Sequence, residues 1–194
     1  MTVLNSSILA MEADRTLASL FARVQPLCEE TLWLGGSTLR NLLDPSEPQE
    51  RADVDMFFFN RNELSKSYEE DIEAKLREES GNPLLSVKNQ ARMGLVSDGL
   101  QYECLLQTVA AFPDTSIAVA ARIFDSAPRT ALVFAPYGLP SRRSRIIQPT
   151  FAYLARHGVP AFYSWLERKK YEARMRHWRI EIAGQRPLAR SQFS

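Results

Sequence analysis

Near the N-terminus the apolar positions recur with a helical period. Leu17, Leu20, Phe21 and Val24 stand at i, i+3, i+4 and i+7. This predicts a helix from about Ala10 to Val24 with one buried face, ended by Pro26. Residues 1–10 are weakly patterned and read as loose. Thr31 to Leu34 reads as a short strand. Leu39, Leu42 and Leu43 mark a short helix, with Ser37 a suitable N-cap. Asp44 to Arg51 is loop by composition. Ala52 to Phe59 reads as a strand whose unbroken apolar run, Met56 to Phe59, predicts a central place covered on both faces.

Asn60 to Leu64 reads as a turn and Ser65 to Ser80 as a helix, with Tyr68, Ile72 and Leu76 as its stripe. Glu69, Glu70 and Asp71 lie in its first turns, where negative charge favours the helix dipole, and read as a solvated face. Gly81-Asn82-Pro83 stops it. Leu84–Val96 and Leu100–Leu106 read as a hairpin around Ser97-Asp98-Gly99. Lys88, Gln90 and Arg92 alternate there with Val87, Asn89 and Ala91; so many polar groups need either a ligand or an outer, wetted face. Thr108 to Phe112 reads as a short helix. Thr115 to Phe124 is β-like, although its alanines leave a helix open. Thr130 to Ala135 reads as another strand.

Beyond Pro140 the composition changes. Arg142, Arg143 and Arg145 cluster, and helical patterns follow over Phe151–His157 and from Pro160 to about Arg179. Phe162, Trp165, Tyr171, Met175 and Trp178 interleave there with Arg168, Lys169, Lys170, Arg174, Arg176 and Arg179. The pattern fits a nucleic-acid partner, but more often it marks an aromatic core face backed by a solvated basic one. Residues 183–194 read as a loose tail. The expected organisation is one domain over 1–140 with a helical basic extension, 141–194, packed on it.

The formal net charge is +1, which gives no field for wholesale nucleic-acid binding. Two cysteines, Cys28 and Cys104, are too few for a disulfide framework and read as reduced thiols. His157 and His177 are too far apart to suggest a metal site. No basic segment leads into an apolar one at the N-terminus, and no run approaches about 18 apolar residues. The expectation is a cytoplasmic chain with no membrane partner.

The chemistry concentrates between Trp33 and Phe59. In a strand, side chains at i and i+2 share a face, so Asp53 and Asp55 point the same way. Two such carboxylates repel unless a cation neutralises them or one is protonated. Mg²⁺ is typically held by one or two carboxylates together with substrate phosphates. Gly35 and Gly36 lack Cβ and let backbone N–H groups approach a ligand. A helix starting near Ser37 presents free N–H groups to a phosphate, and Arg40 carries a fork that matches phosphate oxygens. Asp44 or Glu47 could instead pair with Arg40 on the surface. A D-x-D pair or a G-G-S turn alone is common in solvated turns; the signal is their combination.

That combination resembles the nucleotidyltransferase superfamily with the DNA polymerase β-like catalytic fold. Val87-Lys88-Asn89-Gln90-Ala91-Arg92-Met93, Phe112-Pro113-Asp114-Thr115 and Ala135-Pro136-Tyr137-Gly138-Leu139 follow in the order of a bacterial nucleotidyltransferase-like family within it. The resemblance implies an α+β fold with a mixed β-sheet, flanking helices and a C-terminal helical extension. It implies Mg²⁺-dependent transfer of an NMP from an NTP, ATP first, to an acceptor hydroxyl, with release of pyrophosphate. The acceptor stays open among a small molecule, a protein and an RNA end. Asp53 and Asp55 would hold the metal, while Gly35, Gly36 and Ser37 would hold the β- and γ-phosphates. Arg40, Lys88 and Arg92 would counter charge. Asp114 is preferred over Glu103 as the third carboxylate. Two positions depart from the family pattern: Asp114 stands where glutamate is usual, and Pro140-Ser141 where an acid is usual. A catalytically weak nucleotide-binding or regulatory module, or a metal-dependent phosphoester hydrolase, therefore stays open as an alternative.

Overall fold

The computed structural model describes residues 8–12, 15–43, 54–124, 130–139, 146–174 and 178–182. In chain order these form β1 (Ile8–Glu12), α1 (Arg15–Val24), β2 (Trp33–Gly35), α2 (Gly36–Leu43), β3 (Val54–Phe58), α3 (Lys66–Ser80), β4 (Leu85–Asn89), α4 (Gln90–Asp98), α5 (Leu105–Ala110), β5 (Ala120–Phe124) and β6 (Thr130–Phe134). Then come β7 (Ile146–Ile147), α6 (Phe151–Arg168), α7 (Tyr171–Arg174) and β8 (Arg179–Ile180). Six strands make one mixed sheet in the order β1-β6-β5-β2-β3-β4. β3 and β4 are parallel, joined through α3; the other neighbours in this sheet are antiparallel. The fold is α+β with helices flanking a mixed sheet.

β3 lies between β2 and β4, as its apolar run predicts. Met56 and Phe58 pack on one face with Phe21 and Val24 of α1 and Ile72 and Leu76 of α3. Phe57 points the other way, into a cluster with Leu105 and Val109 of α5. A third cluster joins Ile147, Phe162, Trp165, Leu166, Tyr171, Trp178 and Ile182. The C-terminal aromatics are thus a core face, while Arg168, Lys169 and Lys170 are exposed.

α3 is capped at both ends. Ser65 accepts from the Tyr68 N–H, and Gly81 ends the helix in the left-handed region at φ 65°. It also does what its stripe does not predict. Glu69, Glu73 and Arg77 run at i, i+4, i+8 along the outer edge of β4. Glu69 Oε1 accepts from the Asn89 N–H (2.9 Å), Glu73 Oε2 accepts from the Val87 N–H (3.0 Å), and Arg77 Nε donates to the Leu85 carbonyl (2.7 Å).

Several expectations are corrected. Residues 8–12 are a strand paired with β6, and the first helix begins only at Arg15. The predicted hairpin over 84–106 is one short strand followed by two helices. Asn89 turns the chain: its side chain accepts the Ala91 N–H and caps α4, which Gly99 closes at φ 65°. α4 buries Gln90, Ala91 and Gly94, a small and mixed set that leaves no apolar stripe to read. Ser37 is not an N-cap but lies inside α2. Of the acidic run on α3, Glu69 is buried while Glu70 and Asp71 are exposed. α6 runs on to Arg168, broken at Gly158, where φ is 75°. Arg142, Arg143, Arg145 and the tail lie outside the described residues.

Cys28 and Cys104 are free thiols. Among the described residues no helix is long and apolar enough to cross a membrane.

Candidate active site

The turn from β2 into α2 meets the start of β3. Gly36 has φ +60°, a conformation that glycine adopts without steric cost. A Cβ on Gly36 would lie 3.6 Å from Asp55 Oδ2, so the main chain passes close to that carboxylate. A Cβ on Gly35 would sit 2.1 Å from Phe57 Cε2; the ring occupies the space that any larger residue needs. The two glycines are therefore required for different reasons, Gly35 for room and Gly36 for backbone conformation. Ser37 Oγ then donates to Asp55 Oδ2 at 3.3 Å, and Thr38 Oγ1 accepts the Asp55 N–H at 2.8 Å. Asp55 is half-buried on the face it shares with Phe57. Asp53, two positions earlier on the same strand reading, lies outside the described residues.

The oxygen donors that meet here, a carboxylate and a hydroxyl, have the chemistry a hard divalent cation takes. Among the described residues no group of three or more His, Cys, Asp and Glu could hold a metal ion. A Mg²⁺ here would therefore need Asp53, phosphate oxygens or water to complete its shell. The donor set fits such an ion and offers neither thiolate nor imidazole.

Arg40 and Asp114 come together at a second place, the seam with the C-terminal elements. Arg40 is 4% exposed. Its Nη1 donates to the Tyr171 hydroxyl at 3.3 Å, and its Cζ lies 5.9 Å and 5.8 Å from the Tyr171 and Trp178 ring centroids. Tyr171 in turn donates to Asp114 Oδ2 at 3.2 Å. Asp114 is 0% exposed and also accepts from the Ser116 N–H and hydroxyl (2.9 and 2.6 Å) and the Gln148 N–H (3.4 Å). Burial pushes the Asp114 carboxyl up from its ordinary value, against the pull of these donors and of Arg40. Burial likewise raises the Tyr171 hydroxyl, with the charge of Asp114 adding to it.

Lys88 and Arg92 belong to a third group. Lys88 stands opposite Phe57 on β4, and its Nζ bonds Glu73 Oε2 (3.3 Å) and the Val87 carbonyl (2.9 Å). Arg92 lies past the end of β4, in α4. Its Nε and Nη2 grip Glu69 Oε1 and Oε2 at 2.7 and 2.8 Å. Asn89 between them donates to the Asn60 and Glu63 carbonyls (both 2.7 Å) and accepts the Asn60 and Ala91 N–H groups (both 3.0 Å). This segment ties α3, α4 and the loop after β3 into one unit. The strand register pairs Asp55 with Ser86 and leads away from Asp55 towards Arg92. Glu103 is exposed and faces Gln107.

The structure thus brings Gly35, Gly36, Ser37 and Asp55 together, sets Arg40 and Asp114 in a buried seam, and holds Lys88 and Arg92 in ion pairs on α3. Thr38 is a site neighbour that the sequence reading missed. Its place one residue past Ser37, on the first turn of a helix facing the D-x-D strand, was the available signal.

The chain belongs to a nucleotidyltransferase family, whose model matches residues 31–181. A solved structure described as an NMR structure that reveals a CCA-adding enzyme head domain superimposes with a TM-score of 0.70. It is 21% identical, and the match covers 93% of this chain and 95% of that one. The fold is therefore the polymerase β-like nucleotidyltransferase fold. No curated protein matches by sequence.

Proposed function

We propose that the chain is a Mg²⁺-dependent nucleotidyltransferase that moves an NMP from an NTP, ATP first, to an acceptor hydroxyl. One observation supports this reading: the Gly36 main chain and the Ser37 hydroxyl converge on Asp55 Oδ2, so the turn that would hold phosphate and the carboxylate that would hold a cation share one spot. Asp55, with Asp53, would hold the cation. Bound there, Mg²⁺ neutralises phosphate charge and lowers the pKa of an attacking hydroxyl. Ser37 would orient the β- and γ-phosphates through its main-chain N–H and hydroxyl, while Gly36, whose own N–H donates to the Val119 carbonyl at 3.2 Å, gives the turn its shape; this fixes the α-phosphate for attack. Residues 141–194 would serve as an appended helical unit that braces α2 through Arg40 rather than through contact with phosphate.

Thermal denaturation with ATP, GTP, CTP and UTP, each with and without Mg²⁺, tests the site, because a ligand of the native state raises its stability. The expected result is a Mg²⁺-dependent rise that Asp55→Ala removes. No rise with any nucleotide, from folded protein, would overturn the reading.

A second reading, nucleotide binding without transfer, is favoured by the sealing of Asp114 among four protein donors. That leaves the third carboxylate of the expected set without access to substrate. A nucleotide-dependent thermal shift with no pyrophosphate release across acceptor screens would support it.

A further inference from the structure

We propose that Thr38 is the positioning residue for Asp55, an inference that rests on the cation-holding role of Asp55 given above. The argument starts from strand geometry. The Val54 N–H turns towards β4 and donates to the Leu84 carbonyl at 3.1 Å. Successive residues of a strand alternate sides, so the Asp55 N–H points towards β2. The β2–β3 register runs through Trp33↔Phe57 and Leu34↔Met56 and stops there. β2 leaves β3 at Gly36, whose positive φ starts α2, while the Gly36 N–H stays on the β5 side by donating to the Val119 carbonyl at 3.2 Å.

The ladder thus ends one residue before Asp55, and Thr38 takes its place. Its Oγ1 accepts the Asp55 N–H at 2.8 Å. Thr38 itself is buried, at 4% exposure. A substrate does not reach such a side chain, so Thr38 acts through Asp55. Ser37 holds the carboxylate and Thr38 holds the main chain of the same residue. Two consecutive residues of α2 therefore fix both ends of the Asp55 side chain relative to the phosphate turn. Groups that orient a metal ligand are worth about 10–100-fold in metal affinity.

The test uses Mn²⁺, a paramagnetic substitute for Mg²⁺, titrated with and without ATP into the full chain. Free Mn²⁺ is read by electron paramagnetic resonance, and broadening of the Asp55 amide is read in ¹⁵N spectra. Thr38→Val keeps the shape and removes the acceptor; Thr38→Ser keeps the acceptor. Ile72→Val, on the core face of α3, is the destabilised control. The expected result is Mn²⁺ affinity lower by roughly 10–100-fold in Thr38→Val, and near wild type in Thr38→Ser and Ile72→Val. Should Thr38→Val not fold, Thr38→Ala carries the same comparison. Equal affinity in the wild type and the acceptor-free variant would overturn the proposal alone, and so would equal losses in the Ser and Val variants. Wild-type protein that binds Mn²⁺ without broadening Asp55, or not at all, would overturn the nucleotidyltransferase reading of the site and this inference with it.

Discussion

Arg92 grips the buried carboxylate of Glu69 through two parallel bonds, Nε to Oε1 at 2.7 Å and Nη2 to Oε2 at 2.8 Å. Paired fork to fork, the two charges satisfy each other's geometry. The hydrogen bonds that the guanidinium donates to Glu69 raise its pKa further, so Arg92 keeps its charge. Glu69→Ala should therefore leave a largely buried cation and the Asn89 N–H unpaired, at a cost of about 3–5 kcal/mol. Glu70→Ala, next in sequence but exposed and paired with exposed Lys66, should change stability by less than about 0.5 kcal/mol. Urea denaturation of the two variants makes the comparison. Similar midpoints would show that the pair contributes little.

Gly35→Ala should destabilise the fold, because its Cβ would meet Phe57 Cε2 at 2.1 Å. Overpacking of this kind typically costs about 1–3 kcal/mol. Phe57→Leu should recover part of that loss in the double variant, since it withdraws the ring that clashes. An additive double-mutant cycle would show that Gly35 matters for some other reason.

Much of this was legible in the sequence, and the exceptions share a cause. The D-V-D-M-F-F-F run marked β3 as central, and Ser65, Gly81 and the Ile72–Leu76 stripe marked α3, because these signals are local. β1 was not legible: its pairing partner, β6, is over a hundred residues away in the chain. Glu69 looked solvated because the residue that neutralises it comes 23 positions later. α4 read as a strand because its buried face is Gln90, Ala91 and Gly94, where fit against Tyr102 rather than hydrophobicity decides the packing: a Cβ on Gly94 would come within 2.5 Å of that ring. Within the candidate site, the glycines, Ser37 and Asp55 were readable as a motif. The burial of Arg40 and Asp114 was not, because Tyr171, which bridges them, stands 131 and 57 positions away.

Asp114 should make stability depend on pH in an unusual direction. Burial raises its folded pKa above the ordinary 3.8. As pH rises past 3.8, the unfolded chain loses this proton first, so the folded state binds more protons and stability falls with pH. The effect ends above the folded value. Asp114→Asn removes the titration. The stability of wild type minus that of the variant should decline from pH 3.8 upward and then level off. Chemical denaturation at a series of pH values measures the difference, and a flat or rising curve would sink the assignment.

Asp55→Asn should abolish pyrophosphate release, once an acceptor is in hand, while lowering the melting temperature little, because the side chain is half-buried at a site rather than packed in the core. Ser37→Ala removes a single hydroxyl contact and should reduce kcat/KM roughly tenfold, the equivalent of about 1.4 kcal/mol. Steady-state assays of both variants decide the ranking; a larger loss in Ser37→Ala than in Asp55→Asn would reverse the roles assigned to them.

The row of α3 side chains along β4 has a consequence for assembly. A bare sheet margin is a template on which a strand from another molecule can grow. Here Glu69, Glu73 and Arg77 already occupy the outward Asn89 and Val87 amides and the Leu85 carbonyl. Strand recruitment at that side must first dislodge a fifteen-residue helix. Concentrated protein is thereby guarded against seeding from β4, and the guard lies in three charges on a helix face that sequence alone would assign to solvent.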